Sequence, residues 1–294
     1  MQVMLLAAGF GTRLRPYTLI RPKPLFPVLN RPLLLVLLAM ARRAGATRLV
    51  VNGHHLSPLI ARCLADQPGV IFQDEPEILG TGGSLREALP HFAEEPLLVM
   101  NGDILHDIDV AALCRQHLAS GNLVTMALHD CPRFNSVQVE NDRIRSFRPD
   151  PDKQAGLLAY TGIQMVSPEI IRRIPAGRFF HIIDLYEELC RDGAAIGSVR
   201  VDGCLWRDIG TPEDYLGLHA ELLAGGQPWS LPLPRPEGPW LVSPEASVAS
   251  RLQLSGWGCI GRARIGPDVS LTNCVVWDEA RIPAGARLEN AIVT

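Results

Sequence analysis

The sequence predicts an α/β protein: a mostly parallel sheet covered by helices on both faces, followed by a short β-helix. Three observations lead there. Fully apolar strand-like segments alternate with helix-like segments from residue 1 to about 225, the pattern of a parallel sheet buried on both sides. Pro228, Pro232, Pro234, Pro236 and Pro239 then crowd one short stretch, which reads as a stiff, extended linker. Beyond it, small or apolar residues recur near every sixth position, the period of a hexapeptide β-helix.

The elements follow in order. Val3 to Ala7 is a first strand that runs into glycines. Pro32 opens a helix through Arg43, since proline suits the first helical turn, and Gly45 closes it. Arg48 to Asn52 is a strand, Ser57 to Ala65 a helix, Val70 to Gln73 a short strand and Thr81 to Leu89 a helix. Leu97 to Met100 is a strand ending at Asn101-Gly102-Asp103. Ligands in such folds sit beyond the carboxyl ends of the strands.

After the linker the repeat runs through Ala263, Val269, Val275, Ala280, Ala286 and Ala291. Two residues after each comes Ile265, Leu271, Trp277, Ile282, Leu288 or Val293, with turn residues between. This resembles the left-handed β-helix hexapeptide family, although some steps are five residues; an ordinary β-meander is the alternative. The expected domains are therefore 1–225, a linker at 226–244 and a left-handed β-helix at 245–294. Two or three coils leave an open end, and Trp257 and Trp277 lie in a segment too thin to bury both. Residues 245–294 are thus expected to form an interface, most simply a homodimer, and to contribute no catalytic group.

Composition narrows the function. Hydrophobic residues make up 47% and charged residues 20% of 294 residues, so a sizeable core is available. The formal net charge of −3 argues against a general nucleic-acid binder. Seven cysteines without a C-x-x-C pair point to a reducing, cytoplasmic setting. The apolar start lacks a basic segment and a cleavage site, so it reads as a strand and not a signal peptide. The run Leu33 to Ala41 is short of the ~20 residues that span a bilayer, so no membrane partner is expected.

The strongest local signal is Leu6-Ala7-Ala8-Gly9-Phe10-Gly11-Thr12-Arg13-Leu14-Arg15-Pro16, directly after the first strand. Glycines there let backbone N–H groups approach phosphates. The dinucleotide fingerprint needs a third glycine where Leu14 stands, and a Walker A loop needs Gly-Lys; neither is present. Arg13 lies in the loop, however, and Arg21-Pro22-Lys23-Pro24-Leu25-Phe26-Pro27-Val28 follows. Its prolines hold Lys23 on a rigid, extended segment. Fixed cations beside such a loop are what phosphoryl chemistry requires.

The strings G-x-G-T-R-L-x-P-x-T from Gly9 and P-K-P-L-x-P-V from Pro22 resemble the signature of the sugar-1-phosphate nucleotidyltransferases, a resemblance that extends to about residue 220. It implies a Rossmann-like nucleotidyltransferase domain that joins a nucleoside triphosphate to a sugar 1-phosphate and releases pyrophosphate. It further implies that Ala7, Ala8, Gly9, Gly11, Thr12 and Arg13 grip the triphosphate, with Arg13 and Lys23 as catalytic residues. A strand-end aspartate is ordinarily a turn or cap residue. Here Asn101-Gly102-Asp103 and Trp206-Arg207-Asp208-Ile209-Gly210-Thr211 resemble the family's metal motifs, implying that Asp103 and Asp208 hold Mg²⁺. Asp107 and Asp109 fall to the following turn and helix cap.

Gln73-Asp74-Glu75-Pro76-Glu77-Ile78-Leu79-Gly80-Thr81-Gly82-Gly83 resembles the base-contacting stretch of uridylyl- and guanylyltransferases. Gln73, Gly80, Thr81 and Gly82 are then nucleotide-binding, and UTP or GTP is favoured over dTTP; a pure helix-packing role for the glycines is the alternative. Val51-Asn52-Gly53-His54-His55 resembles the muramic-acid-phosphate uridylyltransferase branch. Adjacent histidines on a strand end point opposite ways, so His54 and His55 read as surface or site-wall residues. Tyr160-Thr161-Gly162-Ile163 resembles the sugar-contacting strand, and Asn101, Gly102, Thr161 and Gly162 are the implied sugar contacts. Phe147-Arg148-Pro149 stands where the family often has Glu-Lys-Pro, and arginine does not replace lysine freely. Two rivals remain at this level: the same fold acting on another phosphate such as phosphocholine, and a regulatory subunit that binds without turnover.

Overall fold

The computed structural model describes residues 1–149, 156–226, 228 and 230–294. Gln227 and Trp229 of the expected linker lie outside the described residues. The chain falls into two compact units. The first comprises Met1–Phe10, Ala41–Gly102 and Ile108–Trp206, and the second Gly11–Met40, Asp103–Asp107 and Arg207–Thr294.

The first unit is built on one sheet. Its strands are β1 (Gln2–Leu6), β2 (Arg48–Gly53), β3 (Val70–Asp74), β4 (Leu97–Asn101), β5 (Val124–His129), β6 (Val137–Glu140), β7 (Arg143–Ser146), β8 (Leu157–Val166) and β9 (Ile196–Arg200). Their order is β3-β2-β1-β4-β8-β5-β9-β7-β6. The first four strands are mutually parallel, as their apolar runs predict. Beyond them the sheet is mixed: β8 enters antiparallel between β4 and β5, and only β5 and β9 pair in parallel. Helices α2 (Ser57–Leu64), α3 (Gly80–Ala88), α4 (Val110–Ser120), α5 (Pro168–Arg172) and α6 (Ile182–Arg191) complete this unit. Leu85, Ile170, Leu185 and Tyr186 from α3, α5 and α6 share one core with Met4, Val50, Val99 and Met126 of the sheet. Register pairs Leu6 with Asn101 and Gly53 with Asp74. The carboxyl ends of the parallel strands are therefore level, and their loops begin at Ala7, His54, Glu75 and Gly102.

The second unit opens with short 3-10 turns at Thr12–Leu14, Tyr17–Leu19 and Lys23–Leu25. The Lys23 segment is thus a turn and not extended as expected. Proline's fixed φ suits the start of a helical turn, and Leu25 and Phe26 N–H donate to the carbonyls of Pro22 and Lys23. Pro32 ends a short strand paired with Pro27–Val28, so the first helix starts one residue later, at Leu33–Arg43. Helix α7 (Pro212–Glu221) follows, with Thr211 capping it by accepting from Asp214 N–H (3.1 Å).

The C-terminal strands pair in parallel with a repeat near three hexapeptides. Val248, Ile265 and Ile282 stack in one row, and Gln253, Ser270 and Arg287 in another. Ile265, Val269, Leu271, Ala280 and Ile282 fill the interior as the repeat predicts. One side departs from it. There Cys274 and Val276 point inward. Cys259, Val275 and Ile292 form an outward row in register, buried beside α7. Trp277, expected to need a partner subunit, is 1% exposed within the chain because Phe26 and Tyr215 pack on it. The proline-rich segment is likewise no free spacer: Leu231 and Leu233 are buried, and Arg31 Nη1 donates to the Pro232 carbonyl (2.7 Å). Among the described residues no helix is long and apolar enough to cross a membrane.

His219 of α7 is fully buried. Its Nε2 accepts from Leu29 N–H (3.3 Å), and Nδ1 faces the Tyr215 carbonyl (2.9 Å), an arrangement that suits the neutral ring. Burial pushes its pKa down to about 4, and burial does the same to His106. An unfolded chain restores the ordinary value near 6.5. Below that pH the unfolded chain takes up protons that the folded chain refuses, so stability is lost as pH falls from 6.5 towards 4. The expected loss is up to about 3 kcal/mol per histidine. Urea midpoints at pH 7 and 4.5 check it: His219→Gln should show a shallower fall than wild type, and an equal fall would contradict the assignment.

Candidate active site

The first unit carries a buried polar network behind the start of the glycine loop. Ala7 N–H donates to Asn52 Oδ1 (2.7 Å). Asn52 Nδ2 donates to Glu75 Oε1 (2.9 Å), Gln73 Nε2 to the same oxygen (2.8 Å) and Ser84 Oγ to Glu75 Oε2 (3.0 Å). Glu75 is 2% exposed, and three donors satisfy it where an unpartnered carboxylate would be costly. The network ties β1, β2, β3 and α3 together at their loop ends. Sequence reasoning missed this role of Asn52, Glu75 and Ser84, because nothing in their local pattern marks a buried polar cluster.

Several expected contacts are engaged elsewhere. The Gln73 side chain is buried and spends its amide on Glu75 and Ser84, so it works behind the loop and is not open to a base. Gly82 and Gly83 N–H donate to the Phe180 carbonyl (2.9 and 3.2 Å). Gly80 has φ +69, and a Cβ there would come within 2.8 Å of the Phe180 oxygen. Thr81 Oγ1 accepts from Ile182 N–H (3.3 Å). The helix-packing alternative therefore accounts for these residues. Thr161, expected at the sugar, is fully buried, and its hydroxyl donates to the Ala127 carbonyl (2.7 Å). Gly162 has φ +79 at an irregularity in the β8 pairing. Gly102 N–H donates to the Leu6 carbonyl (2.8 Å), and a Cβ would crowd that oxygen, which fixes Asn101-Gly102 beside the end of β1. Arg148 is held by Asp184 (2.6 Å). Phe10, 43% exposed, lies against His54 and His55.

The second unit carries the charged cluster. Lys23, 5% exposed, donates Nζ to Asp103 Oδ2 (2.8 Å) and Asp208 Oδ1 (2.9 Å). Arg13, largely exposed, sets Nη2 at 3.5 Å from Asp208 Oδ2. Gly11 is left-handed (φ +60), and a Cβ there would meet Thr18 at 2.8 Å. At Gly210 a Cβ would meet both Arg13 Nη1 and Asp208 Oδ2 at 2.8 Å. The glycine of the second acidic motif thus makes room for the ion pair. Asp103, Asp208, Lys23 and Arg13, far apart in sequence, are brought together; Asp109 caps α4, accepting from Ala112 N–H.

Among the described residues no group of three or more His, Cys, Asp or Glu is placed to hold a metal ion. Two carboxylates that converge on one cation are nevertheless the hard-oxygen donor set of a Mg²⁺ that completes its shell with phosphate oxygens and water. The donor set fits such an ion.

An α/β sheet with a glycine loop at its first strand, and a lysine gripped by two aspartates, defines a phosphate-handling protein. The nucleotidyl transferase family model matches residues 2–225. The chain is 31% identical over 296 residues to a mannose-1-phosphate guanylyltransferase of Mycobacterium tuberculosis, covering 97% of this chain and 82% of that one. It is 27% identical over 339 residues to a UTP–glucose-1-phosphate uridylyltransferase of Synechocystis, covering 100% and 87%. The structure of HddC from Yersinia pseudotuberculosis shares the fold, with a TM-score of 0.63 at 23% identity, covering 74% of this chain and 97% of that one. The chain belongs to the nucleotidyl transferase family.

Proposed function

We propose that this protein is a cytoplasmic sugar-1-phosphate nucleotidyltransferase that uses UTP or GTP. The observation that carries the reading is Lys23, buried between Asp103 and Asp208 with Arg13 alongside, in a chain of this family. The relatives named above, a guanylyl- and a uridylyltransferase of sugar 1-phosphates, support the substrate class. None of the seven cysteines forms a disulfide, in keeping with a reducing compartment.

In the proposed reaction a phosphate oxygen of the sugar 1-phosphate bonds to the α-phosphorus. The bond from that phosphorus to the oxygen bridging to the β-phosphate breaks in line. Pyrophosphate leaves with the electron pair, and no covalent enzyme intermediate forms. Backbone N–H groups of Ala8, Gly9, Gly11 and Thr12 hold the triphosphate, whereas that of Ala7 is taken by Asn52 and braces the loop from behind. Arg13 and Lys23 neutralise charge on its non-bridging oxygens. Asp103 and Asp208 would hold Mg²⁺, which when bound supplies further charge neutralisation. Asn101 and Gly102 are assigned to the sugar phosphate. Val242, Val248 and Leu254 are exposed on the C-terminal coil and are assigned to a homodimer contact; a monomer by light scattering would reject it.

Pyrophosphate release tests the function across nucleoside triphosphates and sugar 1-phosphates, with phosphocholine as a control acceptor. Release is expected only with a sugar 1-phosphate, and fastest with UTP or GTP. No release with any pair would reject the reading, and release with phosphocholine alone would favour the rival substrate.

A further inference from the structure

We propose that the C-terminal coil positions Lys23, and that Trp277 and Tyr215 carry its hold onto the lysine's segment. The inference rests on the functional reading above only for what Lys23 does. The hold itself is a matter of geometry within the second unit.

Lys23 must keep one nitrogen within 2.9 Å of two carboxylates, yet it sits in a single short turn bounded by prolines. Such a turn is stiff but has few contacts of its own. The coil and α7 supply them. Trp277 Nε1–H donates to Tyr215 Oη (3.0 Å), and that hydroxyl donates its one proton to the Pro27 carbonyl. Both buried polar groups are therefore satisfied by a relay that runs from the coil through α7 to the lysine segment. The Trp277 ring meets the edge of Phe26 (centroids 4.7 Å apart) and lies under the Arg21 guanidinium (4.6 Å). Further along, Leu29 N–H donates to His219 Nε2 (3.3 Å). Asn30 Nδ2 donates to the Ile260 carbonyl of the coil (2.9 Å). The segment is thus pinned on both sides of Lys23. Helix α7, which makes two of these contacts, opens just after Asp208. One assembly therefore sets the lysine and its carboxylate partner together.

The coil is assigned no catalytic group. Its contribution is placement, and a displacement of about 1 Å can lower a rate about a hundredfold. Trp277 and Tyr215 are positioning residues in this account.

Full-length Tyr215→Phe, Trp277→Phe and Trp277→Ala test it. Tyr215→Phe breaks the relay with little change of shape, and is expected to lower kcat about fivefold to tenfold with the triphosphate KM within about twofold. Trp277→Ala should lower kcat further, and Trp277→Phe, which keeps a ring on Phe26, should recover part of that loss. In a Lys23→Ala background the same changes should cost nothing more, since coupled residues are not additive. An equal loss in both backgrounds would overturn the proposal and leave only general packing. A second readout needs no turnover. Lys23 and Lys153 are the only lysines, so the acetylation rate at Lys23 is easily followed by mass spectrometry. It should rise at least threefold in Tyr215→Phe while the melting temperature stays near wild type. Unchanged labelling overturns the proposal even if the enzyme reading stands. Faster labelling in a protein that proves inactive would sustain the placement and reject the function. Should Trp277→Ala fail to fold, the Tyr215→Phe arm decides.

Discussion

Asp208→Asn is expected to lower turnover by about a hundredfold to a thousandfold, the scale of losing one preorganised electrostatic group, while the fold survives. The amide oxygen can still accept from Lys23 Nζ, and the carboxylate lies at the edge of the core, so the melting temperature should move by a few degrees at most. What is lost is charge. Asp103 alone then faces the lysine, and the hard-oxygen pair that suits a divalent ion is gone. Excess chelator should bring the wild-type enzyme to a similarly low rate. Steady-state kinetics with and without chelator checks both, and full activity in excess chelator would remove the metal role from Asp103 and Asp208.

Lys23→Ala is expected to lower kcat more than it raises KM for the triphosphate, because the ammonium meets charge that grows in the transition state. Lys23→Arg should not restore the rate. A single nitrogen lies within hydrogen-bond reach of both carboxylates, and a planar guanidinium cannot take that place without moving one of them. The composition points the same way: of 28 basic residues only two are lysines, so this chain uses arginine almost everywhere and retains the compact ammonium here. Removing it also leaves Asp103 and Asp208 facing each other without a cation. Two carboxylates left without their cation destabilise the fold, and Mg²⁺ should therefore raise the melting temperature of Lys23→Ala more than that of wild type. A change confined to KM would reduce Lys23 to a ground-state binder.

The parallel half of the sheet was legible because strands buried on both faces must be apolar throughout, as in Val3–Leu5 and Leu97–Met100. The antiparallel entry of β8 was not, since nothing in Leu157–Val166 marks its direction. Periodicity found the coil, but it cannot tell an inward residue from one covered on the outside by another element. Cys274 and Val276 therefore fill the interior, each one position before Val275 and Trp277 of the repeat. Gly80 and Gly82 carry the pattern of a ligand approach, whereas the chain that crowds them is the Phe179–Phe180 segment, about a hundred residues distant. Spacing could not join Lys23, Asp103 and Asp208; only the family resemblance suggested it. Gly210 needed the structure to explain why the acidic motif contains a glycine at all.

The central claim is that a sugar phosphate oxygen attacks the α-phosphorus of the triphosphate and displaces pyrophosphate. The most direct measurement follows oxygen. A sugar 1-phosphate carrying ¹⁸O in its phosphate group is incubated with UTP or GTP, Mg²⁺ and the enzyme, and the products are read by phosphorus NMR and mass spectrometry. Every labelled oxygen is expected in the nucleotide sugar, one of them now bridging the two phosphorus atoms, with unlabelled pyrophosphate in equal amount. Label in the pyrophosphate, or release of labelled free phosphate without a nucleotide sugar, would contradict it.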